Sequence, residues 1–269
     1  MTNDMRVSVG SVELAVESFG AGPSLVFAHG LTGNRRGVKR QFAALAAQYR
    51  IVVYDQRGHG DSTPVFDPSG YDLDAMAGDL GGVMDALGIE RAIVGGESMG
   101  VATTLQFALR HPERVERLLL TAPAFGDAPN TEQKRFMDLA DAIESFGIER
   151  FLIAAGSTWR NDFHWSSDVV EYVSNMFRSH NERSLVTAIR SVIGWTPLPD
   201  LKILRKVTAP TCIIHWSDDP LHPAELAGRM AAHFPNVHLV EFPPLPAVFQ
   251  YPEMVGDAYA HFLGELIFT

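Results

Sequence analysis

Eight short runs of β-branched and apolar residues punctuate the 269-residue chain: "RVSVG", "VELAVES", "SLVFAH", "RIVVYD", "RAIVGG", "VERLLLTAP", "PTCIIHW" and "VHLVEF". Between most of them the apolar residues recur every three or four positions, as a helix with one buried face requires. The clearest cases are "VKRQFAALAAQY", "LDAMAGDLGGVMDAL", "GVATTLQFALRH", "AELAGRMAAHF" and "EMVGDAYAHFLGEL". The first two strand runs read as a hairpin, and the others alternate with helices. That order predicts an α/β protein: a mostly parallel eight-stranded sheet with helices on both faces.

The alternation fails between about Phe125 and Val207. "TEQKRFMDLADAIESFGIERFLIAA", "SDVVEYVSNMFRSH" and "ERSLVTAIRSVIG" are helical in period, with no strand run among them. Several helices inserted between two strands predict a cap over the sheet edge. The chain then divides into a first core part, 1–124, a helical cap, 125–207, and a second core part, 208–269. The insertion is rich in aromatics: Phe125, Trp159, Phe163, Trp165, Tyr172, Phe177 and Trp195. Most would join the cap helices to one another. Phe125, Trp159 and Trp165 are candidates to line an apolar pocket facing the sheet, as small-molecule sites require.

Composition narrows the partners. With 22 basic against 32 acidic residues the net charge is −10, which opposes binding to nucleic acid or an anionic membrane. No run approaches the ~18 apolar residues of a membrane span, and "MTNDMRVSVG" lacks the pattern of a signal peptide. A cytoplasmic protein with a small-molecule ligand is expected; nothing implies an oligomeric state. Cys212, alone of its kind, rules out an intrachain disulfide or a cysteine zinc site and reads as a core thiol. No cofactor or metal is expected: "GGESMG" departs from G-x-G-x-x-G, and neither a P-loop nor H-E-x-x-H occurs.

The strongest chemical signal is Gly96-Glu97-Ser98-Met99-Gly100, a G-x-S-x-G between a strand run and an amphipathic helix. A sharp strand-to-helix turn would expose the Ser98 hydroxyl above the sheet edge; the plainer alternative is a serine that only caps the helix. In "VFAHGLTGN" a strand ends in His29-Gly30, and the glycine lets the N–H of Leu31 turn towards that serine. With the N–H of Met99 it would form an oxyanion hole. His29 would shape this loop or line the pocket.

These motifs resemble the α/β-hydrolase superfamily, and the resemblance covers nearly the whole chain: "HGLTGN", "VVYDQRGHGDS", "GGESMG", "HPERVERLLLTAP" and "HWSDDPLHP" occur in the family's order. It implies a serine hydrolase with Ser98 as nucleophile, acting on a small ester or lactone. It places Asp55, Arg57, Gly58, Gly60 and Ser62 in a structural turn, with Asp55 and Arg57 expected to satisfy each other. The acid should follow the next-to-last strand, where "IIHWSDDPLHP" offers Asp218 and Asp219; Trp216 stands where the family has a glycine, and Asp219 is the match. Asp127 in "TAPAFGD" occupies the other acid location used by some relatives.

The resemblance also demands a histidine after the last strand, in "VEFPPLPAVFQYPE", and there is none: Leu245 or Ala247 takes its place, depending on the alignment. Among the other histidines, His222 is only three residues from Asp219 and is expected to struggle to meet that carboxylate and Ser98 from one loop. His164 and His180 would have to descend from the cap. Without an adjacent base a serine hydroxyl is a weak nucleophile. Three readings therefore stand. The protein is a hydrolase that uses an unusual base or the substrate's own group, or a non-hydrolytic small-molecule-binding or interaction protein on the same fold, or an engineered chain in which Ala247 replaces a histidine.

Overall fold

The computed structural model describes residues 3–265. In chain order the elements are β1 (Asn3–Val9), β2 (Val12–Gly20), β3 (Ser24–Ala28), α1 (Arg35–Phe42), β4 (Arg50–Tyr54), α2 (Leu73–Ala86), β5 (Ala92–Glu97), α3 (Met99–Arg110) and β6 (Val115–Thr121). There follow α4 (Gln133–Phe146), α5 (Ile148–Asn161), α6 (Ser167–Arg178), α7 (Glu182–Val192), β7 (Thr211–Trp216), α8 (Ala224–Ala231), β8 (Val237–Phe242), α9 (Leu245–Gln250) and α10 (Glu253–Glu265). The strands form one eight-stranded sheet in the order β1-β2-β4-β3-β5-β6-β7-β8. β2 runs antiparallel to β1 and β4, and every other pairing is parallel.

The central strands are apolar without a break because both faces are covered, and their two-residue period divides the side chains between two cores. Val26, Ala28, Val52, Val94, Leu118, Leu120 and Ile213 pack with α2, α3 and α8. Their neighbours Leu25, Phe27, Ile51, Val53, Ile93, Leu119 and Ile214 pack with α1 and α10. Cys212 is buried on this second face.

Between β6 and β7 the described residues contain four α-helices, a short 3-10 helix (Leu201–Lys206) and no strand. The first predicted stretch is two helices, broken at Gly147, whose φ of 81° is readily reached only without a side chain. A third apolar cluster joins these helices to the sheet edge, through Phe125, Trp159 and Leu185 on one side and Leu31, Met76 and Met99 on the other. One helix had no sequence signal: α9 occupies the proline-rich segment where the missing histidine was sought. Among the described residues no helix is long and apolar enough to cross a membrane.

Candidate active site

The parallel strands end at one edge of the sheet, and the loops leaving β3, β5 and β7 meet there. That edge, outside the carboxyl ends of the strands, is where open α/β sheets bind ligands. Ser98 sits between the last residue of β5 and the first of α3, at φ 54° and ψ −109°. A non-glycine residue held at positive φ costs of order 1–3 kcal/mol and persists only where the surroundings over-determine it. Here they do. A Cβ at Gly96 would stand 2.1 Å from the Gly100 carbonyl oxygen, and one at Gly100 would stand 2.2 Å from that of Ala28. Both glycines are required for the chain to turn this tightly. Ser98 does not cap α3 with its side chain.

His222 lies against this serine. Its Nε2 is 3.0 Å from Ser98 Oγ and its Nδ1 is 2.7 Å from Asp219 Oδ2. A carboxylate only accepts, so Nδ1 carries the proton and donates it; Nε2 of the neutral ring then accepts from the Ser98 hydroxyl. The expected difficulty of meeting both Asp219 and Ser98 from one loop does not arise: His222 contacts both. The N–H of His222 donates to the Asp219 carbonyl at 3.2 Å, so a tight turn sets the two side chains together. The two ring nitrogens diverge, one back to the acid and the other outward to the serine. Asp218, the alternative acid, is exposed and at φ 54° starts this turn. Burial pushes the Asp219 carboxyl up, but the bond to His222, that ring's charge when it is protonated, and the N–H groups of Leu221 and His222 outweigh it and hold the carboxyl below its ordinary range.

A residue the sequence did not single out holds this loop. Buried Asn130 donates both amide hydrogens, to the carbonyls of Ala124 and Leu221, each at 2.8 Å. It thereby ties the stretch after β6 to the residue directly before His222.

On the other side of Ser98, a Cβ at Gly30 would lie 3.4 Å from the Ser98 Cβ, so the backbone leading to Leu31 runs beside the Ser98 turn. Met99 opens α3, where helical N–H groups lack intrahelical partners. His29 is not a pocket residue as expected: it is 1% exposed, and both ring nitrogens face backbone. Nε2 accepts the N–H of Gln56 at 2.9 Å, and Nδ1 donates to the Gly30 carbonyl at 2.7 Å. Burial and the neighbouring His59 push its pKa well down, so the ring is neutral. His29 shapes the loop.

Other expectations change as well. Asp55 and Arg57 do not satisfy each other: Asp55 accepts from Arg35, while Arg57 clamps Asp79 on α2 with two bonds of 2.7 Å. The strand end sends the two side chains to different partners. Asp127 is paired with Arg229. His180 is buried, accepting the Gly60 N–H at 3.0 Å and reaching the Thr32 carbonyl at 3.0 Å; His164 is exposed.

Phe125, Trp159 and Trp165 belong to the apolar cluster that includes Leu31 and Met99. Trp159 stacks on Trp165 with centroids 5.4 Å apart, and Phe125 meets Trp195 edge-on at 6.0 Å. Phe249 of α9 completes the group, 6.1 Å from Trp165 and 5.8 Å from Tyr172. The segment that lacks the histidine thus supplies an aromatic contact to α6 and the turn before it. Among the described residues no cluster of potential metal ligands occurs.

Comparison with known proteins agrees with this architecture. The chain is 30% identical over 239 residues to the AB hydrolase superfamily protein YisY of Bacillus subtilis, covering 86% of this chain and 87% of that one. It is 30% identical over 225 residues to a putative carbamate hydrolase, RutD, of Caulobacter, covering 80% of each. The enol-lactonase of Burkholderia xenovorans superposes with a TM-score of 0.81 at 22% identity, over 97% of this chain and 100% of that one. A family model described as alpha/beta hydrolase fold matches residues 23–251, most of the chain, and the protein belongs to that family.

Proposed function

We propose that this protein is a serine hydrolase of small esters, lactones or carbamates, with Ser98 as nucleophile, His222 as general base and Asp219 as the acid that orients it. The observation that carries this reading is the continuous chain of two hydrogen bonds from Ser98 through His222 to Asp219. Similarity to a carbamate hydrolase and an enol-lactonase supports the substrate range.

In this reading Ser98 Oγ attacks the carbonyl carbon as its proton passes to His222 Nε2. The carbonyl π pair moves onto oxygen, and the N–H groups of Leu31 and Met99 stabilise the resulting oxyanion; each such donor contributes about 3 kcal/mol. The imidazolium, held by Asp219, then gives its proton to the departing oxygen or nitrogen as that bond breaks. Water attacks the acyl-serine with His222 again taking a proton, and release of the acid restores Ser98. Residues 125–207 would act as a cap whose aromatics exclude water and receive the apolar part of the substrate.

The test is steady-state hydrolysis of p-nitrophenyl acetate and butyrate, a simple lactone and p-nitrophenyl N-methylcarbamate, beside Ser98→Ala. Turnover in the ordinary enzyme range of about 1–10³ per second for one class, lost in Ser98→Ala, is expected. No Ser98-dependent turnover of any class would favour a binding protein on the same fold.

A further inference from the structure

Glu97, the residue before the nucleophile, has no part in the chemistry above, yet its carboxylate is placed among the same groups. It ends β5, so strand alternation turns it towards α1 and α10, and Oε2 accepts from Gln41 of α1 at 2.9 Å. Oε1 has no hydrogen-bond partner among the described residues, and it lies 3.8 Å from where a Gly30 Cβ would stand, a point itself 3.4 Å from the Ser98 Cβ. Glu97 is only partly buried, so its side chain keeps some contact with solvent.

Gln41 is the one hydrogen-bond donor to the Glu97 side chain among the described residues, although the phenols of Tyr172 and Tyr259 lie near enough to feel its charge. Gln41 is 9% exposed, and its Oε1 is buried without a partner. No arginine or lysine salt-bridges Glu97 among the described residues; Arg40 lies instead over the ring of Tyr172, at 4.7 Å. Burial pushes the Glu97 carboxyl up, opposed by the Gln41 bond and the charge of His222. A partly buried carboxylate with one open oxygen, beside the buried and unfilled Gln41 Oε1, is better satisfied when a further donor reaches it.

We propose that Glu97 is a substrate-recognition residue: its open oxygen accepts from an N–H donor, above all a protonated amine, carried by the substrate close to the carbonyl that Ser98 attacks. Anionic substrates are repelled at the same point. The proposal rests on Ser98 being the reacting residue, but it concerns binding and can be read apart from turnover.

The experiment is titration calorimetry on the Ser98→Ala protein with two probes of one shape, 3-phenylpropylamine and 3-phenylpropionate, each also measured after adding Glu97→Gln. A charge-assisted hydrogen bond contributes about 1.5–3 kcal/mol, so the amine is expected to bind at least about tenfold more tightly than the carboxylate. Glu97→Gln should bring the two within about threefold. Glu97→Asp, which keeps the charge but shortens the reach, should give an intermediate ratio and serves as the reading if Glu97→Gln does not fold. Equal binding of both probes, no binding of the amine, or a preference that survives Glu97→Gln would overturn the proposal. If Glu97 acted only by steadying the His222 imidazolium, its loss would slow the intact enzyme while leaving the probe ratio unchanged, and that too would overturn it. Failure of the hydrolase reading shows separately, as absence of Ser98-dependent turnover with an intact probe ratio.

Discussion

Two neighbouring strands of the sheet, β7 and β8, leave its active edge through segments of opposite character. Residues 217–223 after β7 are polar and tightly turned, and they carry Asp219 and His222 in contact with each other and with Ser98. Residues 243–252 after β8 are proline-rich and apolar and wind into α9, which buries Val248 in the core and sets Phe249 against Trp165 and Tyr172. The family pattern expects the base in the second segment; here an imidazole reaches the serine from the first. What a nucleophile needs is a nitrogen at hydrogen-bond distance and a carboxylate behind it, and position in the chain matters only as far as it supplies them.

The comparison breaks most readily at the base itself. His222→Ala should lower kcat/KM for the best ester by about 10⁴–10⁶-fold, leaving only the roughly 10³–10⁴-fold acceleration over water that the oxyanion hole and binding supply. Adding Ala247→His to that variant should not restore it, because Asp219 is fixed in the β7 loop, with Oδ1 accepting the Leu221 N–H at 3.0 Å. Recovery of more than about tenfold, measured by the same assay, would mean the β8 exit can still hold a base.

Acid should act next, through the loop on the opposite side of Ser98. His29 and His180 are buried, and burial with the nearby His59 lowers both, His180 to about 3. Each would bind a proton in the unfolded chain below about pH 6.5 that it does not bind when folded. Their contribution is therefore fully present above pH 6.5 and is lost as pH falls towards 3. Together the two remove up to about 3 kcal/mol per pH unit. Urea unfolding at pH 7.5 and 5.5 checks this, and His180→Gln, which keeps a hydrogen-bonding side chain, should flatten the slope.

The third change separates positioning from chemistry. Asn130→Ala strands the Ala124 and Leu221 carbonyls without their donor. A lost buried hydrogen bond costs about 1–3 kcal/mol, so kcat should fall by about 5–100-fold, with KM within about threefold. An equal loss in KM would assign Asn130 to substrate binding instead. The smallest effect belongs to the second segment. Phe249→Ala removes a half-buried aromatic contact and should cost about 1–2 kcal/mol, lowering the Tm by a few degrees. If it abolished turnover at a temperature where the variant is folded, α9 would belong to the catalytic apparatus.

Most of the fold was legible because it rests on local periodicity: all eight strand runs became strands, and Gly96, Ser98 and Gly100 marked the turn through their spacing between a strand run and a helical run. The partner of Asp55 was not legible, since Arg35 and Arg57 are equally plausible cations in one dimension and only the fold separates them. The contacts of His222 with Asp219 and Ser98 were hard to read from the sequence, because proximity in the loop argues against them and the divergence of the two imidazole nitrogens permits them. Asn130 gave no signal at all: its bonds go to backbone carbonyls, one of them at Leu221, and backbone carbonyls exist at every position. α9 is short and begins at two prolines, and so reads as loop until its aromatic contacts are seen.

The central claim is that His222 activates Ser98, and a fluorophosphonate tests it without knowledge of the natural substrate, because it phosphonylates an activated serine directly. Intact-mass spectrometry would follow the adduct with time in the unaltered protein and in His222→Ala. One adduct per chain, mapped to Ser98 and formed about 10³-fold or more slowly in His222→Ala, is the predicted result. Labelling of Ser98 at the same rate in both proteins would contradict the account.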